Sequence, residues 1–233
     1  NIRAGGFTLD HGGDSLPIPI LLLIHVGGAL IGFGPALTFP PLGPLAAQAA
    51  PHPGRNGHGG TSVGCGIGRG GARAQWEAVF ATQLQGMPVL GVGVTHMHPD
   101  HIGNAAWLCE RWTNAHHVCR LWISATDYLS ARIGSQSTTG FGGESAARFF
   151  ASHGLTDPES IEKIRGRASY YPGMVPAVPA RYVRIMDGQT LRIGGRDWHC
   201  ISGYGHAPEH IALHCPGLGV LISGDMVLPR IST

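Results

Sequence analysis

Apolar positions along the chain change their spacing several times, and each change marks an element. From Ala74 to Gln85 the residues Trp76, Val79, Phe80 and Leu84 share one helical face, and Met87 to Thr95 then runs almost without a polar residue, as a buried strand does. The stretch "HIGNAAWLCERW", His101 to Trp112, returns to helical spacing, His117 to Ser124 predicts a second strand, and Ala125 to Ile133 another helix. Further helices are predicted over Gly143–His153 and Pro158–Gly166, followed by a proline-rich connection, Pro172 to Pro179. From Arg181 onward the pattern is that of short strands and tight turns: "RYVRIM", a turn at Asp187-Gly188, "TLRI", a turn at Gly194-Gly195, then "DWHCIS", "HIALHC" and "LGVLIS". With a short strand at Thr61 to Cys65, this order predicts an α/β (α+β) fold in which sheets are layered with helices.

The first 60 residues do not share this regularity. No Asp, Glu, Lys or Arg occurs from Ser15 to Gly54, and the apolar segment Pro17 to Leu37 has the length of a bilayer crossing. Pro17, Pro19, Gly27, Gly28, Gly32, Gly34 and Pro35 interrupt any helix there, and no Lys/Arg cluster flanks it to set an orientation. "LAAQAAP" has small residues of cleavage type, but a basic n-region and an initiating Met are missing. The expectation is an irregular Gly/Pro-rich segment over 1–60, with membrane attachment through Pro17 to Leu37 as the minor alternative.

Composition narrows the function classes. Among 233 residues only 13% are charged and the formal charge is +2, which gives no basic stripe for nucleic acid and no acidic tail. The partner expected is a small-molecule substrate. Five cysteines, Cys65, Cys109, Cys119, Cys200 and Cys215, form no CxxC pair, and their odd number fits poorly with a disulfide framework. They read as buried thiols in a reducing compartment, so a cytoplasmic location is expected.

The concentrated chemistry lies in "VTHMHPDHIG", directly after the predicted buried strand. Two histidines separated by one residue on extended chain project to the same side, so His96 and His98 can hold one metal ion. Asp100 and His101, on the turn into the next helix, face a second ion more easily than the first. An ordinary surface turn accounts for a lone HxH, but poorly for four such residues between a buried strand and a helix.

This run resembles the HxHxDH signature of the metallo-β-lactamase superfamily, whose fold is an αββα sandwich with a dinuclear metal site at one edge of two packed sheets. "GYGHAPEH" resembles that family's G-H-S/T-P-G-H loop and offers His206, and "LISGD" resembles the strand that ends in the bridging aspartate, here Asp225. The resemblance runs from about Thr61 to the end. It implies that His96, His98 and His206 hold a first Zn2+, that Asp100 and His101 hold a second, and that Asp225 bridges them. His199, His210 and His214 are expected to be strand or supporting residues, with His210 near enough to the loop to orient a ligand.

Three departures from the family pattern accompany it. The second site is short of the histidine that members usually add beyond the bridging aspartate, Gly64 stands where a buttressing Asp is usual, and residues 1–60 lack regular strands. The expected sandwich, over residues 61–233, is therefore incomplete at both ends and lacks its C-terminal part.

The function implied is zinc-dependent hydrolysis by a metal-bridging hydroxide, with Asp100 orienting the nucleophile or passing a proton. An aspartate at the position of Asp225 favours thioesterases of the glyoxalase II kind, lactonases or phosphodiesterases over true β-lactamases, so a thioester or other acyl ester is the leading substrate. A non-catalytic metal-binding member is the other reading. The helical excursion from about Gly134 to Pro179 is the expected substrate cover; Phe149, Tyr170 and Tyr171 are candidates to line it, with core packing the better expectation for any one of them.

Overall fold

The structure, a computed structural model, describes residues 60–227 except 83, 85, 86 and 138–141. The expectations for residues 1–59, including the segment Pro17 to Leu37, lie outside the described residues.

Four parallel strands build the first sheet: β1 (Gly60–Val63), β2 (Val89–Gly93), β3 (Arg120–Ile123) and β4 (Tyr182–Arg184), in the order β1-β2-β3-β4. Parallel neighbours need long crossovers, and the predicted helices supply them. These are α1 (Gly70–Thr82) before β2, α2 (Pro99–Ile102) and α3 (Ala105–Trp112) before β3, and α4 (Ala125–Gly134), α5 (Gly143–Ser152) and α6 (Pro158–Arg165) before β4. Phe80 of α1, Leu108 of α3 and Tyr128 and Ala131 of α4 form one core with Val92, Leu121 and Ile123 of the strands. Helices thus cover one face of this sheet.

The second sheet is an antiparallel meander, β5 (Thr190–Ile193), β6 (Arg196–Gly203), β7 (His210–Cys215) and β8 (Val220–Ile222). Trp198, Cys200, Ile211, Leu213 and Ile222 make its apolar face, and Val63 and Trp122 of the first sheet pack against them. The two sheets therefore lie face to face, and the backbone N–H of Ile211 donates to the carbonyl of Thr95 at 2.8 Å where their ends meet.

One predicted element divides. The single helix expected from His101 to Trp112 is two, broken at Gly103-Asn104. The Asn104 N–H bonds to the carbonyl of Gly66, and its side-chain amide donates to the carbonyls of Cys65 and Ile67 at 3.1 and 2.6 Å, so this residue is turned to the β1 loop instead of the helix. Gly103 permits the approach, since a Cβ there would stand 2.4 Å from the Gly68 nitrogen.

Candidate metal centre

In open sheets of parallel strands, sites form beyond the carboxyl ends of the strands. β2 stops at Gly93, and the next residues deliver Thr95, His96 and His98 to that edge. Pro99 and Asp100 then open α2, whose short turn carries His101 inward to 2% exposure. From the second sheet, the loop between β6 and β7 brings His206, and the turn after β8 brings Asp225.

All six candidate ligands from the sequence converge in two overlapping groups: His96, His98, His206 and Asp225, and Asp100, His101 and Asp225, with the donor atoms of each group within 4.8 Å of one another. The Nε2 atoms of His96 and His206 are 3.2 Å apart, and Asp225 Oδ2 lies 3.2 Å from His206 Nε2 and 3.8 Å from His96 Nε2. Nitrogen ligands at zinc bonding distance around a tetrahedral ion are about 3.3 Å from one another, so this spacing fits a metal ion. The other oxygen, Asp225 Oδ1, stands 3.2 Å from His101 Nε2, which lies 3.5 Å from Asp100 Oδ2. One carboxylate thus faces both groups, an oxygen to each.

The surroundings fix these side chains. Thr95 Oγ1 is 3.0 Å from His96 Nδ1 and 3.4 Å from His101 Nδ1, so its two lone pairs can take both Nδ1–H protons and leave both Nε2 atoms for the inner side. His210, fully buried and stacked on His96 with ring centroids 4.8 Å apart, accepts the backbone N–H of Asp225 on Nε2 at 3.1 Å. Gly224 makes that contact possible. Its φ is +50°, and a Cβ would lie 2.4 Å from His210 Nε2 and 3.0 Å from Thr95 Oγ1.

Electrostatics divide the histidines. Burial first, then the neighbouring His101, drives His96 far below the usual imidazole range, and burial with His206 lowers His98. Both are neutral imidazoles, the form that binds a metal. Burial also lowers His101, but hydrogen bonds to Asp100 and Asp225 outweigh it and raise the ring to about 9. Asp100, pushed up by burial, is pulled below the ordinary carboxylate range by His101.

Some supporting residues were not visible in the sequence. Asp127, fully buried, accepts the Met97 N–H and the Glu209 N–H, each at 2.7 Å, and the Ser124 hydroxyl at 3.3 Å. An acid in the first turn of a helix after a Ser N-cap reads as routine capping, so nothing local marked it. Thr95 was missed as well, although its place beside His96 at a strand end was a usable signal.

Beside the group with His206 opens a cavity of about 490 Å3, lined by Met97, His98, Ser130, Ile133, His206 and Ala207 among others. Among the described residues Ser130 and Ile133 of α4 form part of its wall, whereas Phe149 and Tyr170, exposed at 57% and 50%, do not line it. Tyr171 is buried, and its hydroxyl donates to the Met97 carbonyl at 2.5 Å, supporting the histidine loop from beneath.

Comparison with known proteins bears on the fold. No curated protein matches the chain. Among solved structures, a beta-lactamase domain protein from Burkholderia ambifaria is 47% identical over 79% of this chain, with a TM-score of 0.68. A metallo-beta-lactamase family protein from Thermus thermophilus shares the fold at 24% identity over 79% of this chain, with a TM-score of 0.54. The chain spans 50% of the length of the first and 60% of the second. A family model described as the metallo-beta-lactamase superfamily matches residues 63–233. A match of that extent, joined to a relative sharing nearly half its aligned residues, makes this chain a member of the metallo-beta-lactamase superfamily.

Proposed function

We propose that the protein is a zinc-dependent hydrolase of acyl esters, with a thioester as the leading substrate, and that it uses two ions. The observation that carries this reading is Asp225, whose two oxygens stand 3.2 Å from His206 and from His101, respectively. His96, His98 and His206 would hold the first ion and Asp100 and His101 the second, with Asp225 within reach of both groups. Zinc in such a place lowers the pKa of bound water to about 7 and polarises an acyl oxygen.

The chain's own residues supply the rest. Asp100, about one-third exposed at the edge of the site, is ionised and can orient the attacking water or take its proton. Met97, Ile133 and Ala207 give the acyl group an apolar wall. No Lys or Arg lines the cavity among the described residues, which favours an uncharged acyl ester or lactone over a phosphodiester. Five buried, unbridged cysteines support a reducing, cytoplasmic setting, and no helix of the described residues is long and apolar enough to cross a membrane.

Metal analysis combined with turnover on thioester, lactone and phosphodiester substrates tests the proposal. The expected result is close to two zinc ions per chain and hydrolysis of the thioester, both lost in His98→Ala. One bound ion with no hydrolysis of any substrate would instead leave a metal-binding protein without catalysis.

A further inference from the structure

The two halves of the candidate metal centre are joined at a point outside it, the N-terminus of α4. Asp127 Oδ1 accepts the N–H of Met97, the residue between His96 and His98, at 2.7 Å. Its other oxygen accepts the N–H of Glu209, three residues after His206, also at 2.7 Å. The contact is returned: Glu209 Oε2 accepts the Thr126 hydroxyl at 2.9 Å and the Thr126 N–H at 3.3 Å. Backbone N–H groups from two loops, 30 and 82 residues away from Asp127 in the chain, thus end on one carboxylate that is fully buried.

Such a carboxylate is a demanding partner. The two N–H donors reach Asp127 at different oxygens, and a carboxylate offers two acceptor oxygens in one small group. A side chain with a single acceptor would release one loop or set an N–H against another. The loops it holds are those of His98 and His206, whose rings lie 4.5 Å apart between centroids. α4 also carries Ser130 and Ile133 into the cavity wall, so one helix sets the spacing of the histidines and the wall beside them.

We infer that Asp127 and Glu209 form a reciprocal clamp that sets the distance between the His96–His98 loop and the His206 loop, and that the clamp, though touching no ion, governs the affinity and geometry of the first metal position. Asp127 is a positioning residue. The inference rests on the metal-binding reading proposed above but not on any substrate.

Cobalt(II), alone and in place of zinc, is the probe, because its visible absorption reports coordination geometry and competition with a chromophoric chelator gives its affinity without an assay of turnover. In the full chain, Asp127→Asn is expected to weaken the first cobalt ion about 10- to 100-fold and to change the visible bands. Glu209→Ala is expected to give a smaller loss, and Glu209→Gln, which keeps an acceptor for Thr126, to recover most of it. Circular dichroism and the Tm of each variant without metal separate this from failure to fold. Should Asp127→Asn not fold, the Glu209 pair decides alone. Unaltered affinity and bands in a folded Asp127→Asn, or in Glu209→Ala if that variant must decide, would overturn the clamp while the metal reading stands. Absence of cobalt binding by the unaltered chain would overturn both.

Discussion

His210 and Asp225 meet through the backbone of one and the ring of the other: the Asp225 N–H donates to His210 Nε2 at 3.1 Å. That bond fixes where the chain turns after β8, and so where the carboxylate of Asp225 points. Because its two oxygens face different groups, Asp225→Asn is expected to remove one ion of two and to lower turnover by more than about 100-fold, since even outer partners of metal ligands typically cost 10- to 100-fold. Metal content and steady-state rates check this, and a variant that keeps both ions and its rate would refute the bridging role.

Gly224→Ala tests the same turn from the other side. A methyl group placed 2.4 Å from His210 Nε2 must displace that ring, and the residue would keep an unfavourable positive φ. The expected cost is about 2 to 4 kcal/mol, read from urea unfolding. A change within error of zero would mean that the turn relaxes freely.

Stability of the protein stripped of metal should depend on pH in a defined direction. Burial, then His101, holds His210 at about 4 against an ordinary 6.5, and His96 and His98 are also lowered. Between pH 6.5 and about 4 the unfolded chain therefore binds protons that the folded chain refuses, and stability falls as pH drops. His101, raised to about 9, acts oppositely, and its contribution is lost as pH rises from 6.5 through 9. In a chelator, Tm is expected to decline below pH 6.5, whereas a rise on acidification would contradict the assignment of neutral buried histidines.

The cavity wall makes a prediction about substrate. Ile133, 58% exposed on α4, can be exchanged at little cost to folding. Ile133→Asp is expected to raise KM for an apolar acyl substrate about 10-fold while kcat changes little. Equal effects on a short and a long acyl chain would argue that the group does not lie along this wall.

Legibility in the sequence followed the range of each interaction. The buried strand β2 and the histidine run after it are local patterns, and the helices and turns around them could be read from spacing alone. His206 and Asp225 were readable only by resemblance, for a loop histidine and a turn aspartate carry no local sign of a shared partner. Helix termini were displaced where tertiary contacts intervened, as at Asn104, whose bonds to the β1 loop break a helix that its neighbours would continue. Exposure of Phe149 and burial of Tyr171 depend on packing, not on aromatic character, so the two could not be told apart in the sequence. Asp127 shows the limit most clearly, since the two N–H groups it accepts come from distant loops.

His96 and His206, 110 residues apart in the chain, stand with their ring nitrogens in contact across the seam between the sheets. For a polypeptide made from its N-terminus, this separation has a temporal meaning. The histidine-rich loop is made before the residues opposite it exist, so the two sides of the candidate centre cannot meet until the later strands are in place. The full set of candidate ligands therefore exists only in the completed molecule, once the later meander has docked on the earlier layer.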